Sequence, residues 1–138
     1  MIQPTILQNE KIWQTSSYTT QYFRNMIQNT NYVLCTISAA EYLGMYSGTT
    51  DKEIYVFQKE DCITHHVEFA EKNGLLFTTV NQTINDLLQD TNIDDQVILE
   101  ALADQYHKNN YAELQITPTN QHVFEHFKSM AEKYYLYE

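Results

Sequence analysis

Three short stretches, met in order along the chain, limit what it can fold into more than any other feature. They are Thr36-Ile37-Ser38-Ala39-Ala40-Glu41-Tyr42-Leu43-Gly44-Met45, then Glu53-Ile54-Tyr55-Val56-Phe57, then Gly74 through Leu88. In the first, the small residues Ser38, Ala39 and Ala40 suit a closely packed helix, and Gly44 suits its C-terminal stop. In the second, Ile54, Tyr55, Val56 and Phe57 are β-branched or aromatic, the composition of a strand. Ahead of the third, Asn73-Gly74 supplies the positive φ angles of a tight hairpin, and the run beyond it turns helical. Helix, strand, hairpin and helix at this spacing specify an α+β fold. The expected form is a small mixed or antiparallel sheet of about three to four strands against about four to five helices, in a single domain. None of the three stretches has the pattern of a catalytic site.

The rest of the chain fills in that frame. With 138 residues, 43% hydrophobic, it is long enough for one domain with a real core. Residues 1–17 read as a docked arm or edge element, with Trp13 as a packing anchor. Tyr22, Phe23, Met26 and Ile27 have helical spacing behind a Thr19 cap. Tyr32–Cys35 is a short apolar run, Ser47–Asp51 a turn or loop, and Lys59-Glu60-Asp61 a charged loop. His65–Phe69 and Leu75–Val80 read as the two strands of the hairpin. Thr79 and Gln82 have the spacing of a capping box, with Gln82 reaching back to the chain entry, and Ile84, Leu87 and Leu88 share one face of the helix that follows. Asp94 caps the next helix, Ile93 and Ile98 staple it, Val97, Ile98, Ala101 and Leu102 form its buried stripe, and Asn109-Asn110 ends it. Pro118-Thr119-Asn120 opens a last amphipathic helix over 119–136. Its stripe of Val123, Phe124, Phe127, Met130, Ala131 and Tyr134 can pack internally or pair with a second copy as a homodimer.

Charge narrows the partners. The formal net charge is −10, and residues 51–100 hold eleven acids against three lysines. An acidic surface repels phosphate, and the single arginine leaves few groups to grip it, so direct DNA binding is not expected. The candidate interaction surface is Glu53, Glu60, Asp61, Glu68, Glu71, Asp90, Asp94 and Asp95. Such a belt can steer a basic protein partner, imitate the charge of DNA, or simply keep the chain soluble. Eleven tyrosines add weight to a protein-binding surface.

Little else points to chemistry. His122 and His126 have zinc-ligand spacing on the last helix but no obvious third ligand, and the plain reading is two exposed histidines. His65-His66, adjacent in an expected strand, point to opposite faces. Cys35 and Cys62 read as core thiols of a reducing compartment, with a disulfide or metal role as the alternative. Cys35 with His65 or His107 is the nucleophile–base pairing the composition allows, and no local signature supports it. There is no P-loop and no GxGxxG. No cofactor is expected. A secretory signal and an apolar membrane span are both missing from the sequence, so a soluble, cytoplasmic, non-enzymatic protein is expected.

The three stretches resemble the C-terminal domain of AbiEi-like proteins, the antitoxin and transcriptional-regulator half of type IV toxin–antitoxin and abortive-infection systems. The resemblance rests on Ser38, Ala39, Ala40, Gly44 and Met45, then Ile54, Tyr55 and Val56, then Gly74, Thr79, Thr83, Asp86, Leu87 and Leu88. With the Asp94–Tyr106 helix it spans about residues 31–115. The chain differs at Val80 and Gln82, where the family has Pro and Arg, and residues 1–30 are too few for the family's N-terminal winged helix. The resemblance implies a bacterial phage-defence protein that binds another protein, such as a nucleotidyltransferase-like toxin or a separate regulator subunit. It marks Ser38, Gly44, Gly74, Thr79, Gln82, Thr83 and Asp86 as structural positions.

Overall fold

A computed structural model of the chain describes residues 2–8, 23, 26–47 and 53–134. Trp13, the Thr19 cap and most of the Ser47–Asp51 turn lie outside the described residues. The described strands are β1 (Thr5–Gln8), β2 (Tyr32–Leu34), β3 (Glu53–Gln58), β4 (Phe69–Lys72) and β5 (Leu75–Thr78). The helices are α1 (Thr36–Tyr42), α2 (Lys59–Thr64), α3 (Val80–Gln89), α4 (Asp95–Asn109) and α5 (Gln121–Glu132), the last entered through a 3-10 turn at Pro118–Asn120. Phe23, Met26 and Ile27 are also helical.

The fold is α+β, with five strands among the described residues where three to four were expected. Their order is β1-β3-β2-β5-β4. All neighbours are antiparallel except β2 and β5, which run parallel. The additional strand is β1, a tetrapeptide with Ile6 and Leu7 at its centre, whose place on the edge is set by β3, with Ile6 opposite Tyr55. A two-residue hairpin joins β4 to β5: Lys72 faces Leu75 across Asn73 and Gly74, whose φ angles are 53° and 80°.

Two local readings are corrected. The charged triplet Lys59-Glu60-Asp61 is not a loop but the first turn of α2, where two carboxylates suit the positive end of the helix. The strand expected at His65–Phe69 starts only at Phe69. His65 and His66 instead leave α2 in a turn, with His66 at a φ of 57°, so they do not alternate across a sheet.

The pleat sorts the sheet residues into two apolar faces. On one, Leu34, Ile54, Val56 and Leu75 pack with Phe23, Ile27 and Ala39. On the other, Val33, Phe57 and Leu76 pack with Cys35 and with Cys62 of α2. A separate cluster fills the space between α1, α3, α4 and α5, including Ala40, Ile84, Leu87, Val97, Leu102 and Phe124. In the last helix Phe124, Phe127 and Ala131 are buried, whereas Met130 is 45% exposed, off the expected stripe.

Several motif residues have defined work in this packing. Gly44, at φ 78°, ends α1: its N–H donates to Glu41 O and Met45 N–H donates to Ala40 O, the paired closure of a left-handed helix stop. Ser38 completes the sheet. Cys35 N–H donates to Tyr55 O at 3.0 Å, but the Cys35 carbonyl turns into α1 and accepts from Ala39 N–H. That would leave the Tyr55 amide unpaired, and Ser38 Oγ accepts it at 2.8 Å. Thr78 and Thr83 share a buried hydroxyl hydrogen bond of 2.7 Å between β5 and α3.

Candidate functional site

The acidic belt divides by what its members do. Glu53 Oε2 accepts from Tyr55 Oη, Asp90 Oδ1 accepts from Asn92 N–H, and Asp94 Oδ1 caps α4 by accepting from Gln96 N–H. Glu68 Oε1 accepts from Thr79 Oγ1. These four carboxylates are engaged in local structure. Glu60, Asp61, Glu71 and Asp95 are exposed, and their carboxylates have no hydrogen bond or ion pair with another described residue. Glu71 stands opposite Leu76, so it shares the sheet face on which α2 carries Glu60 and Asp61. On the same helix Ile63 is 60% exposed. One side of the sheet thus carries three exposed carboxylates and one exposed apolar side chain.

A second feature lies at the carboxyl ends of the parallel pair. β2 and β5 run in the same direction and lead directly into α1 and α3. In sheets of this kind, crevices form outside those strand ends. Here a cleft of about 420 Å³ opens, bounded by Thr36 at the start of α1, Gln82, Asp86 and Asp90 along α3, and the apolar side chains of Phe57 and Val67. Thr36 is buried and holds a φ of 46°, a left-handed backbone that a β-branched residue rarely adopts.

Asp86 is the residue sequence reasoning placed among the structural motif and did not recognise as special. It is held by a short relay. Thr79 Oγ1 caps α3 by accepting from Gln82 N–H at 3.2 Å, half of the expected capping box. The other half differs: Gln82 does not return to Thr79, whose N–H donates to Glu68 O. Instead Gln82 Oε1 accepts from Glu68 N–H at 3.0 Å, and Gln82 Nε2 donates to Asp86 Oδ1 at 2.9 Å. Asp86 Oδ2 is buried and meets no donor. Burial pushes the Asp86 carboxyl up from 3.8 to about 6, and the Gln82 hydrogen bond only partly opposes it. The signal was available, because Gln82, Asp86 and Asp90 recur at four-residue spacing, a polar stripe beside Ile84, Leu87 and Leu88.

The adjacent polar stripe of α3 is fully used. Asn85 Nδ2 donates to Asn81 O and Gln115 O, and Asn85 Oδ1 accepts from Thr117 N–H and from Asn120 Nδ2, all at 3.0–3.1 Å. Asn81 Oδ1 accepts from Gln115 N–H at 2.7 Å. This network fastens the segment before α5 onto α3.

The remaining candidates stay apart. His122 and His126 are exposed on α5, and among the described residues no three His, Cys, Asp or Glu come together to hold a metal ion. Cys35 and Cys62 are buried free thiols. Burial raises the Cys35 pKa well above its ordinary value and that of Cys62 to about 11, which makes both poor nucleophiles. Among the described residues no helix is long and apolar enough to cross a membrane. No family model, curated protein or solved structure matches the chain.

Proposed function

We propose that this chain is a cytoplasmic, non-enzymatic protein-interaction domain, akin to the antitoxin and regulator half of a type IV toxin–antitoxin or abortive-infection system. Its acidic face holds a basic protein partner. The observation that carries this reading is the set of exposed carboxylates Glu60, Asp61 and Glu71 on one side of the sheet, without cationic partners among the described residues and on the side that also exposes Ile63. Unpaired charge around an apolar contact point is the arrangement of an interface rim, and it speeds and orients encounter with an oppositely charged surface. The three sequence stretches that resemble the AbiEi-like domain supply the class of partner. Two buried free thiols suit a reducing compartment.

Co-expression with the product of the neighbouring gene tests the reading. The neighbour alone is expected to arrest growth, and this chain is expected to relieve the arrest and to co-purify with it. The triple variant E60Q/D61N/E71Q should keep the fold, weaken the complex by about tenfold or more, and flatten its dependence on salt. Growth arrest that this chain does not relieve, with no complex formed, sinks the proposal.

A further inference from the structure

β4 ends the sheet, and we propose that its outer edge receives an extended, basic segment of a protein partner, added as a further strand. The inference rests on the interaction role proposed above and names how the partner is held. Strand register decides which backbone groups are on offer. Lys72 and Leu75 flank the two-residue loop and form a hydrogen-bonded pair, so Ala70 with Phe77 is the next such pair along the hairpin. The Thr79 N–H, bonded to Glu68 O at 3.2 Å, continues the same alternation. Phe69 and Glu71 therefore aim their N–H and C=O groups away from β5, and no described residue pairs with them. Phe69 is half-buried and Glu71 is exposed. Unpaired ladder groups on an edge strand are what an added strand satisfies.

The surroundings choose the occupant. At the Phe69 end the edge meets an open groove of about 600 Å³ lined by Val67, Phe69 and Val80, with Glu68 and Glu113 and no lysine, arginine or histidine among its lining residues. Apolar surface beside carboxylates suits the aliphatic stem and charged head of a lysine or arginine side chain. Farther along the strand Glu71 shares a face with Phe69, because alternate residues of a strand point the same way. A cation on the added strand thus meets a carboxylate directly across the new ladder. A second copy of this chain is the poorer occupant, since two copies at a net charge of −10 repel. The open ladder makes the site; charge selects what fills it.

The probe is an end-blocked hexapeptide alternating lysine with valine, added to the intact, isotope-labelled chain and followed by amide NMR and hydrogen exchange. Its controls are the same peptide with glutamate for lysine, and the same peptide with every backbone amide N-methylated. None requires the toxin-like partner, so failure of the edge and failure of the interaction role are read separately. Saturable binding with a Kd of about 0.1–1 mM is expected, and exchange at the Phe69 and Glu71 amides should slow about fivefold, with Ala70 and Lys72 little changed. Glu71→Pro removes an outward N–H and spares the bonds to β5, and should weaken binding about tenfold; Glu71→Gln keeps the N–H and should weaken it about threefold. The N-methylated peptide asks the same question without touching the fold. The inference is overturned by absence of saturation, by an equal response to either control peptide, by unchanged exchange at Phe69 and Glu71, or by undiminished binding to a folded Glu71→Pro chain. Protection of those two amides that rises with protein concentration in the absence of peptide assigns the edge to a second copy, and overturns it as well.

Discussion

Replacing Asp86 by Asn should make the protein more stable at neutral pH. The Asp86 carboxyl moves from 3.8 to about 6 on folding because burial penalises its charge. At about 1.4 kcal/mol for each tenfold change in proton affinity, carrying that charge costs the fold about 3 kcal/mol near pH 7. Between about pH 4 and pH 6 the folded chain holds a proton that the unfolded chain has released. Stability therefore falls as pH rises through this window and stays reduced above it. Asn keeps an oxygen for Gln82 Nε2, but it places an amide where Oδ2 has no partner, and an unmet buried donor costs about 1–3 kcal/mol. The net expectation is a gain of about 0–2 kcal/mol near pH 7 that becomes a loss of about 1–3 kcal/mol near pH 4, where the charge penalty is gone and the unmet amide remains.

Urea denaturation of both proteins at the two pH values, followed by circular dichroism, measures the difference. Other groups near Asp86 largely cancel in this comparison, since both proteins retain them. They are His65 and Asp90 in the cleft, and the Cys35 and Cys62 thiols, whose own pKa values are raised and which stay protonated throughout. An Asp86→Asn protein that is less stable by the same amount at both pH values refutes the reasoning. It would mean that the carboxylate is charged and well paired in the fold.

Three other substitutions probe the frame around the cleft by the same denaturation assay. Ser38→Ala leaves the Tyr55 amide without its acceptor and should cost about 1–3 kcal/mol, with Ser38→Thr retaining part of the stability if the extra methyl is tolerated. Gly74→Ala drives a Cβ into Asn29 Oδ1 at a φ of 80°, and should cost about 1–2 kcal/mol; adding Asn29→Ala should relieve the clash but not the backbone strain. Asn85→Ala unfastens the segment before α5, should cost about 2–3 kcal/mol, and should speed hydrogen exchange at the Thr117 amide.

Much of the frame was legible because a few residues carry it by local chemistry. Gly44 stops a helix, Asn73-Gly74 turns a hairpin, and Asp94 caps α4, each through its own backbone or side chain. The misreadings occur where context decides. The sheet was expected one or two strands short, because the pairing of β1 depends on the edge that β3 offers it. Lys59-Glu60-Asp61 looks like a loop to anyone counting charges, yet acids in that position favour a helix start. The capping box was half legible: Thr79 acts within its own turn, but Gln82 chooses Glu68, fourteen residues back in the chain, over its neighbour. The belt was visible as composition. Which carboxylates are engaged and which are free depends on caps and strand register, and only the fold displays those.

The cleft was the least legible part, and α3 shows why. Its three stripes were all present in the sequence: Ile84, Leu87 and Leu88; Asn81 and Asn85; Gln82, Asp86 and Asp90. The first two find partners within the fold, apolar against α1 and α4, amide against the backbone at Gln115 and Thr117. The third ends on a buried oxygen with no donor. An Asn at this position would escape the burial penalty on charge, so the carboxylate forgoes stability that one substitution should supply. Folded chains satisfy most buried acceptors, and on α3 this oxygen is the one that the fold leaves unmet. The same accounting distinguishes Asp86 from Asp94: the Asp94 charge is used by the helix it caps, whereas Asp86 Oδ2 meets no donor in the fold and its charge is a net cost there.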